Sequence, residues 1–257
     1  MAYLLDIWSH ALSRVWRHRG RLVVLTFALW IPWNIATSTL LGTSISANEV
    51  TIPLGLALDA LYGPFFGAAV LIVLANETSI SWSALLHRAL RMLPRFWLID
   101  LKVSVIGLAV PMGFLYLGSA ILLTIWPSYA VARGVMVLTV SGFLWTIAVV
   151  VAYVLAPAVL VSDTQSRRWT GRIVSPGWSM WAARRLVSGN LRVVLGVVVT
   201  GQLVAGIPAL LPSVGAGVAE SVADAVLKLV ELLWWALIWE LLHHCLRRAA
   251  PNGVNTA

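Results

Sequence analysis

Four ionisable residues interrupt otherwise apolar runs, and they are where chemistry would be sought first. Asp224, Lys228 and Glu231 are spaced four and three apart, which puts them on one face of a helix. Asp59 stands in a second apolar run, and Asn34 and Thr39 in a third. A charge at the centre of a membrane-spanning helix costs about 2.5–3.5 kcal/mol on insertion scales, so such groups pair or face water. Asp59 can meet Lys228, with Asn34 completing a polar pocket between helices. Two uses are open to this group. Lys228 can neutralise its neighbours as packing glue, or the pocket can form a vestibule for a cation or small polar solute.

Glu240, His243 and His244, followed by Cys245, place a carboxylate at i, i+3 and i+4 from two imidazoles, the nearest approach to a metal site in the chain. Adjacent side chains diverge by about 100° on a helix. The pattern therefore predicts a helix end with cations near its C-terminal dipole, and neither metal nor other cofactor. The remaining histidines, His10, His18 and His87, fall in interfacial segments. No HExxH, nucleophile elbow or phosphate loop occurs, and the carboxylate-rich signature of a CDP-alcohol phosphotransferase is absent. "LGSA" at 117–120 offers Ser119 in an apolar run, but no span carries a histidine to activate it. These residues predict a protein that is not an enzyme.

The elements that position these groups follow from composition. Of 257 residues, 60% are hydrophobic and 11% charged, with a mean hydropathy of +0.89. A soluble domain with so little polar surface could not cover its own core. Six stretches approach the roughly 20 apolar residues that a helical crossing needs: 22–42, 53–75, 103–125, 135–161, 193–211 and 222–246. They are continuous rather than alternating, so the fold class expected is all-α, a polytopic helical membrane protein with negligible strand. The apolar run after the first basic cluster exceeds the 7–15 residues of a signal h-region, which predicts a retained first span.

Sixteen of the eighteen Lys and Arg fall before the first span, between the second and third, between the fourth and fifth, or after the sixth. The positive-inside rule then puts both termini in the cytoplasm. The net charge of +8 reads as a basic rim beside anionic headgroups, worth about 1 kcal/mol per cation near the surface, with no nucleic acid implied. Cys245 is the only cysteine, so no intrachain disulfide forms. Most of the 14 Trp, including Trp234, Trp235 and Trp239, read as an aromatic belt, and Gly63 and Gly67 form a close-packing G-x-x-x-G.

A Trp-Ser pair with an Arg six places on occurs three times: Trp8 with Arg14, Trp82 with Arg88, and Trp178 with Arg184. Places +3, +4, +7 and +8 from each Trp read Ala11, Leu12, Val15, Trp16, then Leu85, Leu86, Ala89, Leu90, then Trp181, Ala182, Arg185, Leu186. Arg185 alone breaks the stripe of an amphipathic helix. Such a helix lies in the headgroup plane with Trp at the acyl boundary and Arg on phosphates, so these three Trp–Arg pairs are the expected headgroup contacts. Ser175 and Pro176 make an N-cap and first-turn pair. Each copy precedes two spans, with Pro32, Pro111 and Pro208 in or near the first of them. One membrane domain over 1–257 results, as three repeats, 3–75, 79–161 and 175–248, with a disordered tail at 249–257.

This layout, with "YVLAPAVLVSDTQ" ahead of "PGWSMWAARRLVSGNLRVVLGVV", resembles six-helix bacterial membrane proteins related to the membrane domain of glycerophosphodiester phosphodiesterases and to the uncharacterised YciC-like family. Here Trp178 replaces the usual aliphatic start of the surface helix. The resemblance implies a six-helix fold in the bacterial inner membrane. It implies no activity, since the phosphodiesterase chemistry of that group belongs to a separate soluble barrel. The expected function is an envelope scaffold or accessory subunit that organises lipids or partner membrane proteins. The alternative is a small-solute or ion transporter using the polar site between the second and sixth spans, and the third reading is a lipid-modifying enzyme.

Overall fold

A computed structural model of the chain describes residues 2–29, 48–75, 80–125, 128–165, 175–206 and 218–249. Among these residues every regular element is helical. The helices are α1 (Ala2–Arg17), α2 (19–29), α3 (Asn48–Ala75), α4 (Trp82–Ser104), α5 (Val110–Ile125), α6 (Ser128–Tyr153), α7 (Ala156–Gln165), α8 (Pro176–Gly189), α9 (Leu191–Gly206) and α10 (Val218–Ala249). Three are long and apolar enough to cross a bilayer, Trp82–Ile121, Arg133–Ser162 and Leu229–Ala249, and the bent pair of α8 and α9 brings the number to as many as four. Most of the predicted first span, with Pro32, and the end of the fifth, with Pro208, lie outside the described residues, as does most of the tail.

Local chemistry sets the boundaries. Ser81 caps α4 by accepting from the Ala84 amide, and Ser175 caps α8 by accepting from the Trp178 amide at 3.2 Å, with Pro176 preset in the first turn. Pro157 has no N–H, and α6 yields to α7 just before it through a turn at Val154 and Leu155. Asn190 ends α8 and starts α9: its amide bonds Val187 O, its side chain donates to Leu186 O, and its carbonyl takes the Val193 and Val194 amides. The two helices meet there at 103°.

The three predicted surface helices reach their spans in different ways. α1 is broken from α2 at His18 and α8 turns sharply into α9. In the middle unit no break occurs, and Trp82–Ile121 is one helix of 40 residues, about 60 Å long at 1.5 Å per residue. A straight-through helix cannot lie flat in the interface and also cross it, so the expectation of three flat collars fails for α4. "FWLIDLKVS" contains no residue that stops a helix, and Pro94 passes through α4 without ending it.

The core gathers where α3, α7 and α10 touch one another. Phe66, Leu71, Leu74, Leu155, Leu160, Leu237 and Cys245 are buried there. The apolar face of α4, with Leu85, Ala89, Met92, Phe96 and Ile99, covers α3, and α8 covers α7. Those two pairings join neighbours in the chain. The third joins the extremes: α1 lays Ile7 and Ala11 inward and packs most extensively on α10. Trp234 and Trp235 do not form a belt. Their indoles fill the notches left by Gly201 in α9 and Gly67 in α3, where any Cβ would collide with them, and Trp239 is buried against His243. Gly63 of the predicted pair meets nothing.

The α5–α6 hairpin stands apart. Only 17% of the apolar window of Trp82–Ile121 is buried, against 50% for Arg133–Ser162 and 56% for Leu229–Ala249, and Met112, Phe114, Leu117, Val137, Phe143 and Leu144 face outward. Its fastening is polar. A π turn at Val105–Ala109 sends the Val110 amide to Val105 O, and Pro111 brings no N–H for Ile106 O or Gly107 O. Both carbonyls are met from α6: Trp145 Nε1 donates to Ile106 O at 2.8 Å, and the Thr146 hydroxyl lies 2.7 Å from Gly107 O. In lipid no water could serve them.

Thr146→Val is expected to destabilise the protein by about 0.6 kcal/mol and at most about 1.7, the range for interhelical hydrogen bonds in membranes. In a Pro111→Ala background, which returns an N–H to the helix, the same change should cost measurably less. A double-mutant cycle of unfolding in mixed micelles reads the coupling, and equal costs would show that the hydroxyl does not serve the freed carbonyl.

Candidate functional site

The polar centre of the fold sits at one pole, where helix ends converge. Glu240 of α10 is 4% exposed and lies in the middle of an apolar surface. Arg14 of α1 turns inward to it, its Nε on Glu240 Oε1, while Nη1 donates to Leu74 O in the last turn of α3 at 2.9 Å. A cation at a helix C-terminus also favours the dipole there. One guanidinium thus ties together three helices. Arg14 was expected at phosphates; the buried carboxylate holds it instead. Beside it, Trp8 donates to Thr200 Oγ1 at 3.2 Å and joins α1 to α9.

The polar site predicted between the second and sixth spans falls on α3 and α10. α3 and α10 pack together, and Glu231 acts electrostatically on Tyr62, which stacks on Phe66. Tyr62 beside Glu231, Gly67 against Trp235, and Leu74 and Glu240 sharing Arg14 follow one order along both helices, so α3 and α10 run in the same direction. Asp59 falls on α3, and Asp224 and Lys228 on α10; their side chains lie outside the described residues, as does Asn34 altogether.

The remaining headgroup candidates differ in exposure. Trp82 and Arg184 are exposed, Arg88 is half-buried, and Trp178 packs partly against the core. Exposed guanidinium groups cover rings at three places: Arg19 over Trp16 at 4.1 Å, Arg185 over Trp181 at 5.5 Å and Arg248 over Tyr3 at 4.9 Å.

The third copy of the Trp-Ser motif is not seated like the others. In α1 and α4 the inward residues include place +3, Ala11 and Leu85. In α8 the inward residues are Ser179, Met180, Ala183 and Val187, a face turned by roughly 150° at about 100° per residue. The cause is Arg185 at +7, which the motif's stripe would have driven unpaired into the core. Rotation leaves the predicted apolar stripe, Trp178, Trp181, Ala182 and Leu186, lining a groove of about 940 Å³ between α7, α8 and α10. Val159, Leu242 and Leu246 form the facing wall, and Arg185 and Arg248 stand in its lining. Sequence reasoning missed this groove; its one signal was the charge interrupting the stripe.

Of the metal candidates, Glu240 is taken by Arg14, and His243 and His244 lie against Trp239 and Tyr3. Among the described residues no three His, Cys, Asp or Glu side chains are grouped to hold a metal ion. Compared with known proteins, the chain matches no family model, no curated protein and no solved structure.

Removing one partner of a buried ion pair strands the other, at about 3–5 kcal/mol. Arg14→Met should destabilise the detergent-solubilised protein by that amount, and adding Glu240→Leu should recover most of it. A double variant as unstable as the single one in thermal unfolding would mean that Arg14 acts through Leu74 O alone.

Proposed function

We propose that the chain is a non-catalytic integral membrane protein, an envelope scaffold or accessory subunit that organises lipids or partner membrane proteins. In this reading it crosses the bacterial inner membrane six times as three units, with both termini cytoplasmic, like the six-helix proteins it resembles. Parallel α3 and α10 support that layout, because the closing spans of the first and third units must run the same way. So does the ring of pairings, in which each unit's amphipathic helix lies on the closing span of the unit before it and α1 returns to α10. An inner basic rim is supported by sequence, since the Arg of α1, α4, α8 and the end of α10 all flank spans on the side the positive-inside rule makes cytoplasmic.

The observation that carries the scaffold function is the α5–α6 hairpin. It is fastened at its base by hydrogen bonds and keeps an apolar outer face, with Met112, Phe114, Val137 and Phe143 exposed. That face is free to meet lipid or another membrane helix. Transport is the second reading, favoured by the approach of Glu231 to Tyr62 between α3 and α10; it needs Asp59 and Lys228 to join them.

Phe114→Ala with Phe143→Ala should leave stability within about 0.5 kcal/mol, as surface changes do, while changing the lipids or membrane proteins that co-purify in mild detergent. Asp59→Asn with Lys228→Met should leave solute flux in proteoliposomes unaltered. An unaltered co-purifying set together with lost flux would replace the scaffold with a transporter.

A further inference from the structure

The groove between α7, α8 and α10 sets an apolar stripe beside uncompensated positive charge. Its floor is the face of α8 that amphipathic spacing would have turned into the core, Trp178, Trp181, Ala182 and Leu186. The opposite wall is aliphatic, with Val159, Leu242 and Leu246. Arg185 and Arg248 supply two guanidinium groups, each leaning on an aromatic ring, and among the described residues neither pairs with a carboxylate. Asn190, only 8% exposed, also lines the groove. Its amide nitrogen is used on Leu186 O, but its Oδ1 accepts no hydrogen bond among the described residues. That oxygen is closed off beneath the groove, so the polar chemistry the groove presents comes from its arginines.

Apolar walls with two guanidinium groups in their lining specify an amphiphile, with chains along the stripe and an anionic group at the arginines. The volume of about 940 Å³ lies within the range of pockets that enclose small ligands, about 300–1,000 Å³. We infer that this groove binds one anionic phospholipid, its chains along the apolar stripe and its phosphate at Arg185 and Arg248. The site deepens the lipid-organising function proposed above and rests on the chain being embedded in a bilayer. It differs from annular lipid in being single and saturable, because the groove is bounded on three sides by α7, α8 and α10.

Native mass spectrometry of the full chain released from nanodiscs tests this. Phosphatidylglycerol should add as a saturable 1:1 adduct, about tenfold tighter than phosphatidylcholine, because guanidinium–phosphate contacts are charge-assisted. Phosphatidylmethanol, with the same charge and a smaller headgroup, should bind as phosphatidylglycerol does. Arg185→Gln with Arg248→Gln should lose about tenfold. Gly189→Phe should abolish the adduct with no loss of thermal stability, since Gly189 lines the groove and nothing stands within 4 Å of a Cβ there. Arg17→Gln, an exposed cation outside the groove, should change nothing. Adducts that do not saturate, or that ignore these groove variants, would reduce the lipid to annular contact and overturn the site. Phosphatidylmethanol binding no better than phosphatidylcholine would overturn the guanidinium–phosphate contact. A chain that fails to enter nanodiscs would instead refute the membrane reading on which the site depends.

Discussion

Polar groups carried away from water need partners within the protein, and that constraint shapes several of this fold's unusual features. Arg14 and Glu240 satisfy one another, and the arginine reaches on to a carbonyl of the last turn of α3. The carbonyls left by the π turn and Pro111 are met by a tryptophan and a threonine from the next helix. Asn190 uses amide, carbonyl and side-chain nitrogen to carry the chain around a 103° corner. Where the requirement could not be met, the element moved: α8 turned over because Arg185 had no partner inside.

Packing then completes what the polar contacts locate. The centre is filled by helices that are apolar on every side along part of their length, Phe66–Leu74 above all. Glycine notches receive indoles rather than other backbones, so α10 is keyed into α3 and α9 by size as well as by apolar area. Shape of this kind is the main available force between helices in lipid, where burying apolar surface gains little.

The helical class, the caps at Ser81 and Ser175 and the inward faces of α1 and α4 were legible in spacing, since periodicity and capping are local properties. The polar residues of the last span were equally plain, and Glu231 does approach the helix that carries Asp59. What spacing could not supply was partnership. Nothing along the chain says that Arg14 belongs to Glu240, more than two hundred residues on, or that Trp234 and Trp235 turn inward to glycines in two different helices. The Trp-Ser motif is a related case: three copies look alike in sequence, yet the third faces the other way, because one charge at +7 outweighs the apolar residues around it. The unbroken α4 also escaped notice, since amphipathic character says which face a helix buries and not whether it lies down or stands up.

The ring of pairings bears on how such a chain is made. α4 and α8 find their partners in the helix just inserted before them, so each can dock as it leaves the ribosome. α1 has no such neighbour: its apolar face and its arginine answer to α10, the last helix in the order of synthesis. Until that helix is made α1 has no partner for this face, and its guanidinium stays hydrated. The contact between α1 and α10 is therefore among the late ones to form.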